Sequence, residues 1–287
     1  MVKNKKTENK VYFITRGIHL KAIQEKGLTI KMGDNTPIIA HPTLASESIL
    51  DLPKCDIIIL AVKSYDLDQA VEDVKKNMKD TTIILPLLNG VDIYERIRKS
   101  LKIGYVLPAC VYIGTHIESP GIIFQRGGNG KILFGKDPNH KDFYPNDLIK
   151  LFDESNIDYE WSENAYAAIW TKYIFISPFG LLTAYYQKTI GEIVNNPTNL
   201  EEVKVLINEV VQIARRKGID LPEQIIELTI EKAKEFPFET KTSFQRDVES
   251  KGKKHEGDLF GGTLIKLGKK LGIPTPKTEQ IYSKFLL

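Results

Sequence analysis

Apolar positions fall in short dense runs through the first half of the chain and recur every three or four residues through the second. Residues 55–62, CDIIILAV, are apolar almost throughout, as in a strand buried on both faces of a parallel sheet. Residues 66–78 then place Leu67, Ala70, Val71, Val74 and Met78 on one helical face. A second buried strand is predicted over 82–88 and a helix over 91–100. Upstream, 10–15 (KVYFIT) reads as a strand, 18–26 as a helix stopped by Gly27, and 28–31 and 36–40 as short strands around a Gly-Asp-Asn turn. Shorter strands follow at 106–113, 121–125 and 131–135, with Gly127-Gly128 as a hairpin turn, then a helix over 142–154 and a strand at 159–161. Strands alternating with helices at this spacing predict an α/β fold, with a doubly wound, Rossmann-like N-terminal domain.

From Asn164 onward the strand signals stop. Residues 165–186, AYAAIWTKYIFISPFGLLTAYY, read as a long helix apolar on nearly every face, with Lys172 in its middle. A short helix at 190–194 precedes an amphipathic one over 200–217, capped by Gly218. Helices are predicted from Leu221-Pro222 to about Phe236, over 240–249 and 256–271, and from Pro276 to the end. The chain therefore divides into residues 1–162, a dinucleotide-binding type of domain, and 163–287, an all-α domain. The junction is short, which suits two domains sharing a cleft.

Composition narrows the classes. In 287 residues, 42% hydrophobic and 27% charged is ordinary for a globular protein, and the net charge of +3 forms no nucleic-acid patch. The one local excess, KGKKH at 251–255, reads as a surface loop. Cys55 and Cys110 lie in strand-like runs and read as core residues of a reducing compartment; the five histidines have no ligand spacing, so no metal is expected. Polar or turn residues interrupt every run before the ~20 apolar residues of a membrane helix, and residues 1–9, MVKNKKTEN, lack the apolar core of a signal peptide. A cytoplasmic protein is expected, and an apolar face on the terminal helices suits a homodimer.

Candidate chemistry gathers at the strand ends, where α/β sheets bind ligands. Arg16, Lys63 and Asn89 each close a predicted strand. Arginine at the end of the second strand of a dinucleotide fold accommodates the 2′-phosphate of NADP; as a bare turn residue it is merely solvated. Lys172 has two readings. An isolated lysine usually lays its stem on apolar surface with the ammonium in water; the other reading is a catalytic lysine at a cleft floor. Ser243 and Asp247 suit helix capping and a solvated face, and Glu256 suits a helix N-terminus.

Taken together and in order, several stretches resemble the ketopantoate reductase (2-dehydropantoate 2-reductase) family: VYFITRGIHLKAIQEKGLTI at 11–30, IIILAVKS at 57–64 with Lys63, Leu88-Asn89-Gly90, Pro120-Gly121, Trp170-Thr171-Lys172 with Leu182-Thr183-Ala184, TSFQRD at 242–247 with Glu256, and LGIPTP at 271–276. The resemblance implies NADPH-dependent reduction of 2-dehydropantoate to (R)-pantoate, on the route to pantothenate and coenzyme A. By it, Lys172 is the proton donor and Glu256 binds the substrate hydroxyl. Ser243 holds the carboxylate, Asn89 lies between nicotinamide and substrate, and Arg16 and Lys63 bind the adenosine-side phosphates. The partner so implied is a small 2-oxoacid.

The chain also departs from that family. Its match starts at the family's second strand, and the Gly-rich phosphate turn (G-x-G-x-x-G) is not in the sequence. An N-terminally truncated or wrongly started chain is the expectation, with a degenerate relative as the other reading. Ile176 and Gly180 stand where many members carry asparagine, which leaves room for a larger or more apolar 2-oxoacid. Two other readings stand beside the reductase: a non-catalytic relative that has lost cofactor binding, and a two-domain dehydrogenase of the hydroxy-acid or 6-phosphogluconate type.

Overall fold

The computed structural model describes residues 9–33, 35–250 and 252–286. Residues 1–8, Asp34 of the expected Gly-Asp-Asn turn and Lys251 of the KGKKH stretch lie outside them. The elements run β1 (Tyr12–Ile14), α1 (Gly17–Lys26), β2 (Leu28–Met32), β3 (Ile38–Ala40), β4 (Leu44–Ser46), β5 (Cys55–Leu60), α2 (Leu67–Lys76), β6 (Met78–Pro86), α3 (Ile93–Ser100) and β7 (Tyr105–Val106). Then come β8 (Ala109–Val111), β9 (Thr115–Ser119), β10 (Ile122–Gln125), β11 (Ile132–Gly135), α4 (Asn146–Glu154) and β12 (Tyr159–Ser162). Seven α-helices complete the described chain: α5 (Tyr166–Tyr186), α6 (Ile190–Asn195), α7 (Pro197–Arg216), α8 (Ile225–Lys234), α9 (Ser243–Glu249), α10 (Thr263–Leu271) and α11 (Pro276–Tyr282). The protein is α/β, with its sheets in the N-terminal region and a helical C-terminal region.

By packing, residues 9–61, Asp68–Leu87 and Tyr94–Ala165 form one unit. The second unit takes the helices from Tyr166 onward together with two loops from the first half, Val62–Leu67 and Leu88–Ile93. Those loops follow the carboxyl ends of β5 and β6.

In the first unit the apolar runs do what their composition demands. β5, β6 and β7 pair in parallel, with Ile57 opposite Ile83 and Ile84 opposite Val106, so each connecting helix is a crossover. β1 pairs in parallel with β4, and β2 lies between β3 and β10. β11 joins β12 in parallel and β8 antiparallel. One core forms where Ile83, Leu85, Leu107 and Phe134 meet Leu148 and Phe152 of α4. A buried polar knot sits beside it: fully buried Asp137 accepts from the Tyr94 hydroxyl (2.8 Å), the Val106 N–H (3.0 Å) and the Arg98 guanidinium. Burial works against the Asp137 charge, but hydrogen bonds from Tyr94, the Asn139 N–H, His140 and the Val106 N–H outweigh it and hold its pKa below the ordinary carboxylate value.

Three expectations change. The run at 106–113 is two strands, because Pro108 has no N–H to donate and the chain leaves β6 there for β11. The hairpin turn is Pro120-Gly121, joining β9 to β10, not Gly127-Gly128. After Gly128 the chain passes to β11 in another sheet. The helix expected over 66–78 ends at Lys76, and Met78 already opens β6.

In the second unit α5 is the central helix, with Trp170, Tyr173, Ile174, Phe179 and Leu182 at most 1% exposed. It is long and apolar enough to cross a membrane, but 67% of its most apolar window is buried within the protein. Burial, rather than interruption by polar residues, marks it as a core helix. α7 packs Val203, Leu206, Ile207, Val210 and Val211 inward, as its periodicity predicts. Its buried Glu209 reaches back to α11, accepting from the N–H groups of Lys277 (2.8 Å) and Thr278 (2.9 Å), which otherwise lack helical partners.

Candidate functional site

Lys172 occupies the middle of α5, on a turn whose neighbours Trp170 and Tyr173 are buried. Its ammonium donates to Asn89 Oδ1 at 2.7 Å. Asn89 belongs to the Leu88–Ile93 loop, and Gly90 beside it holds φ +125°, a conformation open to glycine. A Cβ there would also lie 2.7 Å from Leu259 Cδ1, so close approach and backbone conformation both call for glycine.

A second cluster surrounds Glu256, whose side chain is 6% exposed. Its two oxygens are separately engaged: Oε1 accepts the Ser64 N–H at 3.0 Å and Oε2 accepts from Lys63 Nζ at 3.0 Å. Lys63 Nζ also donates to Asp247 Oδ2 at 2.7 Å. Burial acts to lower the Lys63 pKa, but the Glu256 and Asp247 carboxylates outweigh it, and the ammonium is held above its ordinary value. Lys63 is therefore a cation bridging two anions. The resemblance gives it to adenosine-side phosphates; here it is the counterion of Glu256.

Ser243 opens α9 and is exposed. The cap of α9 is Thr242 rather than Ser243: its hydroxyl accepts from Gln245 N–H (3.1 Å) and meets the Thr183 hydroxyl at 2.8 Å. Asp247, one turn beyond Ser243, faces Lys63 instead of forming part of a purely solvated face. Glu256 is not inside a helix. It precedes a π-helical turn, Asp258–Gly262, that runs into α10. The second unit thus holds Lys63, Asn89, Lys172, Ser243 and Glu256, whereas Arg16 lies in the first.

Arg16 stands exposed ahead of α1, in extended conformation, and Gly17 follows at φ +61°. The Gly17 N–H donates to Glu47 Oε1 at 2.9 Å, so this helix end already receives an anion. A Cβ on Gly17 would meet nothing within 4 Å. The exposed Arg16 and the open space beside Gly17 fit the ribose-phosphate end of a dinucleotide, while the Gly17 N–H itself is taken by Glu47. The G-x-G-x-x-G spacing that cradles a pyrophosphate does not occur in the sequence.

Sequence reasoning missed Ser64, whose contribution is a backbone N–H, and the partnership of Lys63 with Asp247. Neither carried a local signal, since the Lys63–Asp247 contact joins residues 184 apart in the chain.

The family model for ketopantoate reductase PanE/ApbA matches residues 4–139, and that for its C-terminal region matches residues 164–286. A 2-dehydropantoate 2-reductase of Streptococcus pyogenes is 27% identical over 275 residues, covering 93% of this chain and 87% of its own. Among solved structures, a PanE/ApbA family ketopantoate reductase from Ralstonia eutropha superposes with a TM-score of 0.86 at 24% identity, over 96% of this chain and 89% of its own. A D-mandelate dehydrogenase solved with NADH and anilino(oxo)acetate gives 0.85 at 22% identity, over the same shares. At these identities the two structures speak for the fold alone.

Proposed function

This chain belongs to the ketopantoate reductase family, and from that premise we propose that it reduces a 2-oxoacid, 2-dehydropantoate first among candidates, to the 2-hydroxy acid with NADPH. That it is an oxidoreductase of the 2-dehydropantoate 2-reductase type rests on the family match across both halves. Substrate, cofactor preference and residue roles are our reading, and the Lys172–Asn89 pair carries it.

A bound nicotinamide cofactor would supply the hydride. Arg16 would hold its ribose-phosphate end, a cation that favours NADPH over NADH. Reduction of a ketone leaves negative charge on oxygen. Lys172 would stabilise that charge and then donate a proton to the oxygen from Nζ. Asn89 helps to hold the ammonium before any substrate arrives, since its amide oxygen takes one of the three N–H donors. Glu256 would accept the hydroxyl of a hydroxylated substrate. Lys63 and the Ser64 N–H hold that carboxylate in one orientation, so binding costs little reordering. Ser243, exposed at the start of α9, would donate to the substrate carboxylate.

A second reading keeps the chemistry and changes the acid. Ile176, one turn beyond Lys172, is apolar and half-buried, whereas Gly180 is buried with its Cβ position 3.5 Å from the Phe244 side chain and opens no space. Ile176 favours an oxoacid with a more apolar tail. The test is a panel of 2-oxoacids with NADPH and NADH, scored by kcat/KM. The first reading expects 2-dehydropantoate to lead, the second expects a more apolar 2-oxoacid to lead, and both expect NADPH to be preferred by about tenfold or more. Turnover of none of the acids with either cofactor would remove both.

A further inference from the structure

The Asp258–Gly262 turn is π-helical, a geometry that widens the backbone and is often found at functional sites. Two buried hydroxyls engage its carbonyls. Tyr173 Oη donates to Leu259 O at 2.5 Å, and Ser177 Oγ donates to Phe260 O at 2.9 Å. Both residues lie on α5, one turn apart on one face, and both are at most 1% exposed. Tyr173 directly follows Lys172, so its hydrogen bond fixes the rotation of the segment that presents the ammonium.

The same turn touches the other site residues. At its leading edge, the Glu256 carbonyl accepts from Leu259 N–H (3.0 Å) and Phe260 N–H (3.2 Å), tying the Glu256 backbone to the turn. The Leu259 side chain seats on Gly90, next to Asn89. Behind it, Tyr282 leaves no room for a Cβ on Gly261, whose ideal position would be 2.5 Å from Tyr282 Cγ. Phe260 packs on Phe244, at 5.3 Å between ring centroids.

We propose that the π-helical turn Asp258–Gly262, held by the Tyr173 and Ser177 hydroxyls, is the positioning element that sets Lys172, Asn89 and Glu256 in mutual register. Tyr173 and Ser177 are positioning residues: neither hydroxyl is available to a ligand, because each is buried and bonded to a backbone carbonyl. Ordinary core packing would need only the ring of Tyr173 and a small residue at 177. The hydroxyls matter because the carbonyls they meet belong to the turn that begins beside Glu256 and seats on Gly90.

This inference rests on the reductase reading for its kinetic arm, so a second arm is independent of activity. Tyr173→Phe, Ser177→Ala and the double variant keep shape and remove one or both hydroxyls. In the kinetic arm, KM for the oxoacid rises and kcat falls, with kcat/KM lower by about 10–10²-fold in the double variant, as small misplacements of reacting groups produce. KM for NADPH stays as in wild type. A merely structural role would reduce the folded fraction and leave both KM values alone. In the second arm, 13C-lysine NMR follows the Lys172 side chain, identified by its loss in Lys172→Arg. Its resonance shifts and broadens in each variant. An unshifted Lys172 signal in the folded single variants overturns the inference, whether or not the wild type turns over an oxoacid. An oxoacid KM within about twofold of wild type in an active double variant overturns it too.

Discussion

Replacing Lys63 by methionine keeps most of the side-chain volume and removes the cation from between Asp247 and Glu256. The size of the effect follows from the three exposures. A fully exposed pair contributes about 0–1 kcal/mol, and breaking a fully buried one costs about 3–5 kcal/mol. Glu256 is 6% exposed, Asp247 25% and Lys63 41%, so the pair lies between these limits. Without Lys63 the buried Glu256 carboxylate keeps the Ser64 N–H alone of the two donors described. A loss of about 2 kcal/mol is expected, which lowers Tm by about 4–8 °C for a unit of this size. Thermal melts at pH 7 in low and high salt measure it, and the difference should persist in high salt because the Glu256 end is shielded. The pH dependence has a definite sign. Lys63 has a raised pKa in the fold, so its contribution is fully present below the ordinary lysine value and is lost as pH rises through the higher folded value. Wild type and Lys63→Met should therefore converge at strongly alkaline pH. Equal Tm values at pH 7 would refute the counterion argument, and a gap that widened above pH ~10.5 would refute its sign.

Other outcomes follow from single contacts. Gly90→Ala must place a Cβ against Leu259 at φ +125°, and should cost about 1–3 kcal/mol in a chemical melt while displacing Asn89 and lowering kcat. Asp137→Asn leaves Arg98 buried without its carboxylate and should cost about 3–5 kcal/mol at pH 7. Because the Asp137 pKa is depressed, its contribution is present above the ordinary carboxylate value and lost as pH falls through the folded value. The gap to wild type should accordingly close below pH ~4 on an acid titration followed by circular dichroism.

How much of this was legible depended on whether a signal was local. Continuous apolar runs such as Cys55–Leu60 announced their parallel strands, and α5 and α7 followed from composition and period. β4 did not, because three residues with partial burial carry no pattern. Gly127-Gly128 looked like a hairpin turn, yet β10 pairs with β9 and β2, a choice set by distant partners that no glycine pair encodes. In the site, Lys172 stood out as a cation inside an apolar helix. Asp247 did not, and Glu256 did so only through the family resemblance, because a carboxylate near a helix end has a bland explanation until a lysine 184 or 193 residues away closes on it. The π-helical turn has no periodic signature over five residues, and Tyr173 and Ser177 look like ordinary core residues until their hydroxyls are seen to meet its carbonyls.

The central claim is that Lys172 delivers the proton in an NADPH-dependent ketone reduction. The measurement that tests it most directly is the loss of NADPH absorbance by the 287-residue chain with saturating 2-dehydropantoate, for wild type and Lys172→Ala side by side. The account predicts turnover by wild type and a kcat lower by about 10²–10⁴-fold in the folded variant. A Lys172→Ala protein that oxidises NADPH at the wild-type rate would contradict it.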